Sequence, residues 1–268
     1  MFRTVHYEIE SPKVPEPFDG FSMVHLSDLH GAVYGEKNRL LIEKIRELQP
    51  DLVVMTGDMA DAGDGSALGL IDLCRRLLET HPVYYVPGNH EQAMKAEEQA
   101  WLMGTLKDLG VLALANQRRA IWRREACVEV YGLVMAMAYY KDPMREDYVK
   151  GIHFSTEDTR QALGEAKESR FNILLCHNPL YFPSYRDWGA DLTLSGHIHG
   201  GIIRIPGLGG LLSPDLTLFP KYDGGCFHES GRHLVVSRGL GNHFLVRVMN
   251  PAELVLVTLR TKGDKRDV

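Results

Sequence analysis

Five short apolar runs in this chain each end in a cluster of metal-binding residue types. Met23–Ser27 precedes Asp28-Leu29-His30, and Leu52–Thr56 precedes Gly57-Asp58. Val83–Val86 leads into Pro87-Gly88-Asn89-His90-Glu91. Ile173–Cys176 leads into His177, and Leu192–Ser195 into Gly196-His197-Ile198-His199. A short apolar run bounded by polar or Gly/Pro residues reads as a buried strand. The clusters then fall at five strand C-termini, the edge at which open α/β sheets place their sites. One such cluster could be an accident of sequence, but five point to a metalloenzyme built on α/β sheets.

The rest of the pattern fits that frame. Asn38–Leu48 carries Leu41, Ile42, Ile45 and Leu48 at helical spacing, with Asn38 as the expected N-cap. Helices are also expected at about 66–79, 92–109, 156–167 and 181–188, and strands near 233–237 and 254–259. Runs at 111–114, 119–123 and 127–133 leave no room for helices between them and read as an antiparallel stretch. Residues 136–151 read as a loop, and 200–225 is rich in Gly and Pro. No repeat or long linker divides the 268 residues, so one domain over 1–268 is expected.

Composition excludes little but excludes it clearly. A formal net charge of -5 provides no basic surface of the kind general nucleic-acid binders use. Phosphate substrates stay open, because bound cations supply positive charge locally. No stretch approaches the ~18 uninterrupted apolar residues of a membrane span. The first residues lack the charged-then-apolar pattern of a secretory signal, so a cytoplasmic location is expected, with peripheral membrane association left open. Cys74, Cys127, Cys176 and Cys226 are scattered and read as buried free thiols. His25 reads as a core or site-supporting residue, and His6, His81, His153, His228 and His233 as solvated.

Asp28 and His30 are two apart, as are His197 and His199. In extended chain, residues i and i+2 point to one side, so each pair can address one point. Asp58 and Asn89 add oxygen donors and His177 another nitrogen. Seven such groups exceed the needs of one ion and suit two ions sharing a carboxylate, about 3.5–4 Å apart. Nitrogen and oxygen donors suit divalent or trivalent ions, Mn²⁺ first and Fe, Zn or Co as alternatives.

The ordered set Asp-x-His, Gly-Asp, Gly-Asn-His-Glu, His, Gly-His-x-His, spanning residues 28 to 199, resembles the calcineurin-like metallophosphoesterase superfamily. Gly196–Gly201, Leu218–Tyr222 and Ser237–Gly241 also look like the YkuE/YaeI-type branch of bacterial phosphodiesterases. The resemblance implies the metallophosphatase fold, a four-layer α/β/β/α sandwich of two mixed β-sheets flanked by helices. It places Asp28, His30 and His199 on a first metal, Asn89, His177 and His197 on a second, and Asp58 between them. His90 matches a residue that faces substrate as acid and charge stabiliser, and Asp61 the position that orients it. The implied reaction is hydrolysis of a phosphodiester or pyrophosphate bond by in-line attack of a hydroxide bridging the two metals. The implied substrate is a small phosphoester or nucleotide pyrophosphate, with lipid-linked forms included.

A phosphomonoesterase or nuclease could use the same donors, and a non-catalytic scaffold is the non-enzyme alternative. Scaffolds of this kind usually lose ligands, and none is missing here. Ala62 stands where Ser/Thr protein phosphatases carry arginine, which argues against a phosphoprotein substrate. In the tail, Arg238 and His243 are candidates to approach substrate phosphate. The apolar segment 202–212 could line a lipid-like pocket or pack as strand and turn on the sheet.

Overall fold

A computed structural model of the chain describes residues 1–63, 65–140, 151–201, 203–205, 208–212, 217–241 and 247–262. Its first sheet contains β1 (Arg3–Ser11), β2 (Ser22–Leu26), β3 (Leu52–Met55), β4 (Val83–Tyr85), β5 (Leu112–Ala113) and β14 (Glu253–Thr261). Their order is β1-β14-β2-β3-β4-β5. The second contains β6 (Gln117–Arg123), β7 (Ala126–Leu133), β8 (Phe171–Cys176), β9 (Leu192–Ser195), β12 (Gly225–Glu229) and β13 (Arg232–Val236), in the order β12-β13-β9-β8-β7-β6. A small two-stranded ribbon pairs β10 (Arg204–Ile205) with β11 (Gly209–Gly210). The helices are α1 (Arg39–Leu48), α2 (Ser66–Leu78), α3 (Asn89–Gln92), α4 (Ala96–Leu109), α5 (Thr156–Leu163) and α6 (Phe182–Trp188).

Strand alternation builds the layers. Leu52 and Val54 of β3 face the second sheet, where they share a core with Val130, Ile173 and Leu194. Val53 and Met55 of the same strand face Leu41, Ile45, Leu70 and Leu102 of the helices. On the far side, Leu174 and Cys176 of β8 pack with Tyr185 and Trp188. Both faces of the central strands are therefore apolar, which is why those runs read as continuous and not alternating. The result is the expected sandwich of two mixed sheets flanked by helices.

Several local expectations differ from the outcome. Asn38 does not cap α1: it has φ 60°, and its side-chain oxygen accepts from the Tyr34 N–H instead. Leu112–Ala113 is not antiparallel; it extends the first sheet in parallel beside β4. The helix expected from 92 breaks into α3 and α4, and that expected to 167 ends at Leu163 before Gly164. Strands β1 and β12 carry polar residues on exposed faces and gave no apolar run to detect. Cys226 is exposed, whereas the other three thiols are buried, and His81 is buried and not solvated. His243 lies outside the described residues, as do 141–150 of the expected loop and Ile202, Pro206 and Gly207 of the apolar segment.

Candidate metal centre

Strands β2, β3 and β4 run parallel to one another, as do β8 and β9, so the five clusters emerge on one edge of the sandwich. Backbone hydrogen bonds stitch the loops together there: Asp28 N donates to Gly57 O, His30 N to Asp58 O, and Gly196 N to His177 O. The convergence is not reached through extended chain as the i, i+2 spacing implied. Asp28, His30, Asp58, His197 and His199 have φ of 51°, 46°, 53°, 70° and 55°, the left-handed region. That region costs a non-glycine residue roughly 1–2 kcal/mol, and such strain gathers where a site over-determines its backbone. The glycines preceding the donors have a different cause. A Cβ on Gly88 would collide with the Asp58 carboxylate, and one on Gly196 with Ser27 Oγ and Asp28 Oδ2.

Glu91 organises the first two loops. Its buried carboxylate accepts from Met59 N at 2.6 Å and Ala60 N at 3.1 Å on Oε1. Oε2 accepts from Gly88 N at 2.8 Å and Asp58 N at 2.9 Å. Burial, and then the nearby Asp58 charge, raise its pKa. Glu91→Gln keeps the shape but turns one oxygen into a donor facing two N–H groups. We expect it to cost roughly 3–5 kcal/mol, read as a fall in Tm of about 10 °C or more. An unchanged melting curve would contradict this organising role.

The side chains gather into three groups, Asp28–His30–His199, Asp58–His177–His197 and the more exposed His30–Asp61–His90, each with its candidate ligand atoms within 4.8 Å of one another. His199 Nε2 lies 3.3 Å from Asp28 Oδ1 and 3.2 Å from His30 Nε2. His177 Nε2 lies 3.0 Å from Asp58 Oδ2 and 3.9 Å from Asp28 Oδ1, which joins the first two groups. Asp28 also accepts from His197 N, and Asp58 from His90 N at 2.9 Å.

The remaining ring nitrogens fix which atoms can bind a cation. His30 Nδ1 is 2.8 Å from Asp61 Oδ1, and His177 Nδ1 is 2.6 Å from Thr56 O. Both partners only accept, so each Nδ1 carries a proton and Nε2 is the atom left to bind a cation, the usual arrangement of metal-ligating histidine. Among the described residues, Asn89 Oδ1 and His197 Nε2 are buried with no hydrogen-bond partner. Unpaired buried acceptors are costly unless a cation or water meets them. The donor set therefore fits metal ions.

The charges point the same way. Burial works against the Asp58 charge, but His177, and then His90 and His30, hold its carboxyl well below the usual range. Burial would lower His177, yet Asp58 and Asp28 raise it to about 9. Burial and the His177 charge depress His197 to about 3. His90 is a quarter exposed, with Nδ1 2.6 Å from Asp61 Oδ1 and Nε2 3.9 Å from Asp58 Oδ2. Burial would lower it too, but the Asp61 hydrogen bond and the charges of Asp58, Asp61 and Glu91 raise it to about 9.

Of the residues singled out in the sequence, Asp28, His30, Asp58, Asp61, His90, His177, His197 and His199 thus lie together, and Asn89 sits between Gly88 and His90, which both approach Asp58. Glu91 and Arg247 were not among them. Arg247 donates to Gly239 O and Gly241 O, and its Nη2 stands 3.3 Å from His199 Nδ1. Glu91 carried a signal, as the last residue of Gly-Asn-His-Glu; Arg247 carried none.

The sequence profile described as "Calcineurin-like phosphoesterase" matches residues 21–201. The metallophosphoesterase YkuE of Bacillus subtilis is 28% identical over 97% of this chain and 86% of its own length. "Phosphodiesterase YaeI" of Escherichia coli is 27% identical over 89% of this chain and 82% of its own. The phosphopantetheinyl hydrolase PptH of Mycobacterium tuberculosis shares the fold, with a TM-score of 0.50 at 16% identity over 85% of this chain and 91% of that one. Among the described residues no helix is long and apolar enough to cross a membrane. With its donors at five strand ends and a profile match over most of its length, the chain belongs to the calcineurin-like phosphoesterase family.

Proposed function

We propose that this protein hydrolyses phosphodiester bonds with two divalent metal ions held by Asp28, His30, Asp58, Asn89, His177, His197 and His199. The observation that carries the reading is the pair of buried donor groups joined through Asp28, Asp58 and His177. Asp58 would be the carboxylate shared by both ions, and Asn89 Oδ1, buried without a hydrogen-bond partner among the described residues, would add an oxygen donor. When bound, the ions would lower the pKa of a coordinated water to supply a nucleophile and would offset charge on the phosphate oxygens.

The chain's own side chains supply the rest. His90 holds its Nδ1 against Asp61, so Nε2 is the atom that can protonate the leaving oxygen. Asp61 keeps that imidazole charged, and the same oxygen orients His30. The name of the YaeI relative favours a diester over a monoester. A nucleotide pyrophosphate, lipid-linked or free, fits the same chemistry.

The test is turnover of bis-p-nitrophenyl phosphate and p-nitrophenyl phosphate, with Mn²⁺ and after chelation. The diester should be preferred, and chelation should abolish turnover until Mn²⁺ is restored. Chelator-resistant hydrolysis would sink the mechanism, and preference for the monoester would overturn the bond assignment.

A further inference from the structure

Beyond the metal centre, the same edge of the sandwich carries a cleft of about 500 Å³ lined by Arg3, Arg204, Arg238, Leu208 and Met249. Its place follows from the topology. Arg3 pairs in register with Glu253 at the start of β14, and β14 runs antiparallel to β2. Both residues therefore sit at the end of the sheet where Asp28 emerges. Arg238 follows β13, and its aliphatic stem packs beside Gly200, next to the ligand His199.

The floor of the cleft is cationic and not fully balanced. Arg204 pairs with Asp223 at 2.8 Å, while Arg3 and Arg238 share the single carboxylate of Glu253, at 3.4 and 3.6 Å. Among the described residues, three guanidinium groups thus face two carboxylates. Among the described residues, the buried Arg238 Nε makes no hydrogen bond and meets Glu253 only at ion-pair distance. A half-buried surplus cation calls for an anion, and guanidinium forks match phosphate oxygens.

The rim is apolar. Leu208 and Met249 are 71% and 66% exposed. Leu218, Phe219, Ile203 and Val248 are also exposed, on segments joined by the Ile203–Val248 and Leu212–Leu218 bridges. Among the described residues, these segments supply six of the thirteen exposed large apolar side chains. A contiguous exposed apolar patch marks an interaction surface. A guanidinium floor under an apolar rim is complementary to a phosphate headgroup attached to hydrocarbon.

We propose that this cleft docks the protein on anionic phospholipid, with the headgroup phosphate against Arg3, Arg204 and Arg238 and the acyl region against Leu208 and Met249. The site is separate from the metal donors and does not depend on which ester bond is hydrolysed.

Co-sedimentation of the full chain with phosphatidylglycerol or phosphatidylcholine vesicles tests it, while bis-p-nitrophenyl phosphate turnover reports on the metal centre independently. Binding to phosphatidylglycerol should exceed binding to phosphatidylcholine. Arg3→Met should weaken it about fivefold, the share of one basic residue at an anionic surface. Leu208→Ser, at an exposed position that folding does not need, should also weaken it. Arg238→Met should do more, and its melting curve checks that it folds. Equal binding to both lipids, no binding to either, or binding unchanged by both Arg3→Met and Leu208→Ser would overturn the proposal. Inorganic phosphate displacing nothing from the wild type at millimolar concentration is expected. Full displacement would show a soluble anion site and overturn lipid docking.

Discussion

Asp58→Asn is expected to leave a folded chain that no longer holds its full metal complement and turns over diesters at least about 10³-fold more slowly. Removing one carboxylate charge between two cations forfeits several kcal/mol of transition-state stabilisation, and each 1.4 kcal/mol is a factor of ten in rate. The amide preserves an oxygen for the His90 N–H that Asp58 Oδ1 now accepts, so the α3 turn keeps its anchor. The distinguishing readout is thermal stability with and without added Mn²⁺. An ion at a hundredfold excess over its Kd stabilises the wild type by about 2.7 kcal/mol, and the variant should gain much less. Metal uptake should also depend on pH. In the metal-free chain His177 is protonated below about 9, because Asp58 and Asp28 outweigh burial. Binding at Nε2 must expel that proton, so the apparent affinity of the wild type rises with pH up to that value. In Asp58→Asn the His177 pKa falls, and the slope should flatten below neutrality. A variant that takes up two ions with wild-type affinity would remove Asp58 from the shared position.

Much of this was legible in the sequence because strand burial and donor placement leave separate marks. Strands β3, β8 and β9 are buried on both faces, since helices cover one and the opposite sheet covers the other, and their first donors follow within three residues. The same rule hides β1, whose exposed Glu8, Glu10 and Thr4 break up any apolar run. The convergence of donors was read correctly but for a wrong reason. Extended pairs would have put Asp28 and His30 on one side; instead each sits in a left-handed turn. Such turns leave no periodic signal, because one or two residues with positive φ are a local accommodation to loop contacts. Asp61 was legible as the partner of His90, but its second contact, with His30 Nδ1, depends on loop geometry that spacing does not encode. Arg247 lies far along the chain and reaches the site only because Gly239 and Gly241 carry the backbone past Asp28.

His90→Ala is the complementary case, with metal retained and chemistry lost. Its imidazole groups with His30 and Asp61 and not with Asp28 or Asp58, and its Nδ1 is taken up by Asp61. Metal content and metal-dependent stabilisation should therefore match the wild type. General acid catalysis is worth roughly 10²–10⁴-fold, and the loss should scale with how much the leaving group needs a proton. A p-nitrophenolate leaves unaided, so the defect on bis-p-nitrophenyl phosphate should sit at the low end. A diester with an alkoxide leaving group should show the full loss, in kcat and not in KM. The pH profile gives a second reading. The Asp61 hydrogen bond and neighbouring carboxylates hold His90 protonated to about 9, so activity should fall as pH rises through its pKa. Cations at Asp58 remove part of that stabilising charge and bring the alkaline limb lower in the loaded enzyme. That limb should vanish in His90→Ala. Asp61→Asn should lower the limb and also weaken metal binding, because the same oxygen orients the ligand His30. Equal losses of His90→Ala on good and poor leaving groups would reassign His90 from proton donor to electrostatic support. A loss of metal equal to that of Asp58→Asn would make it a ligand.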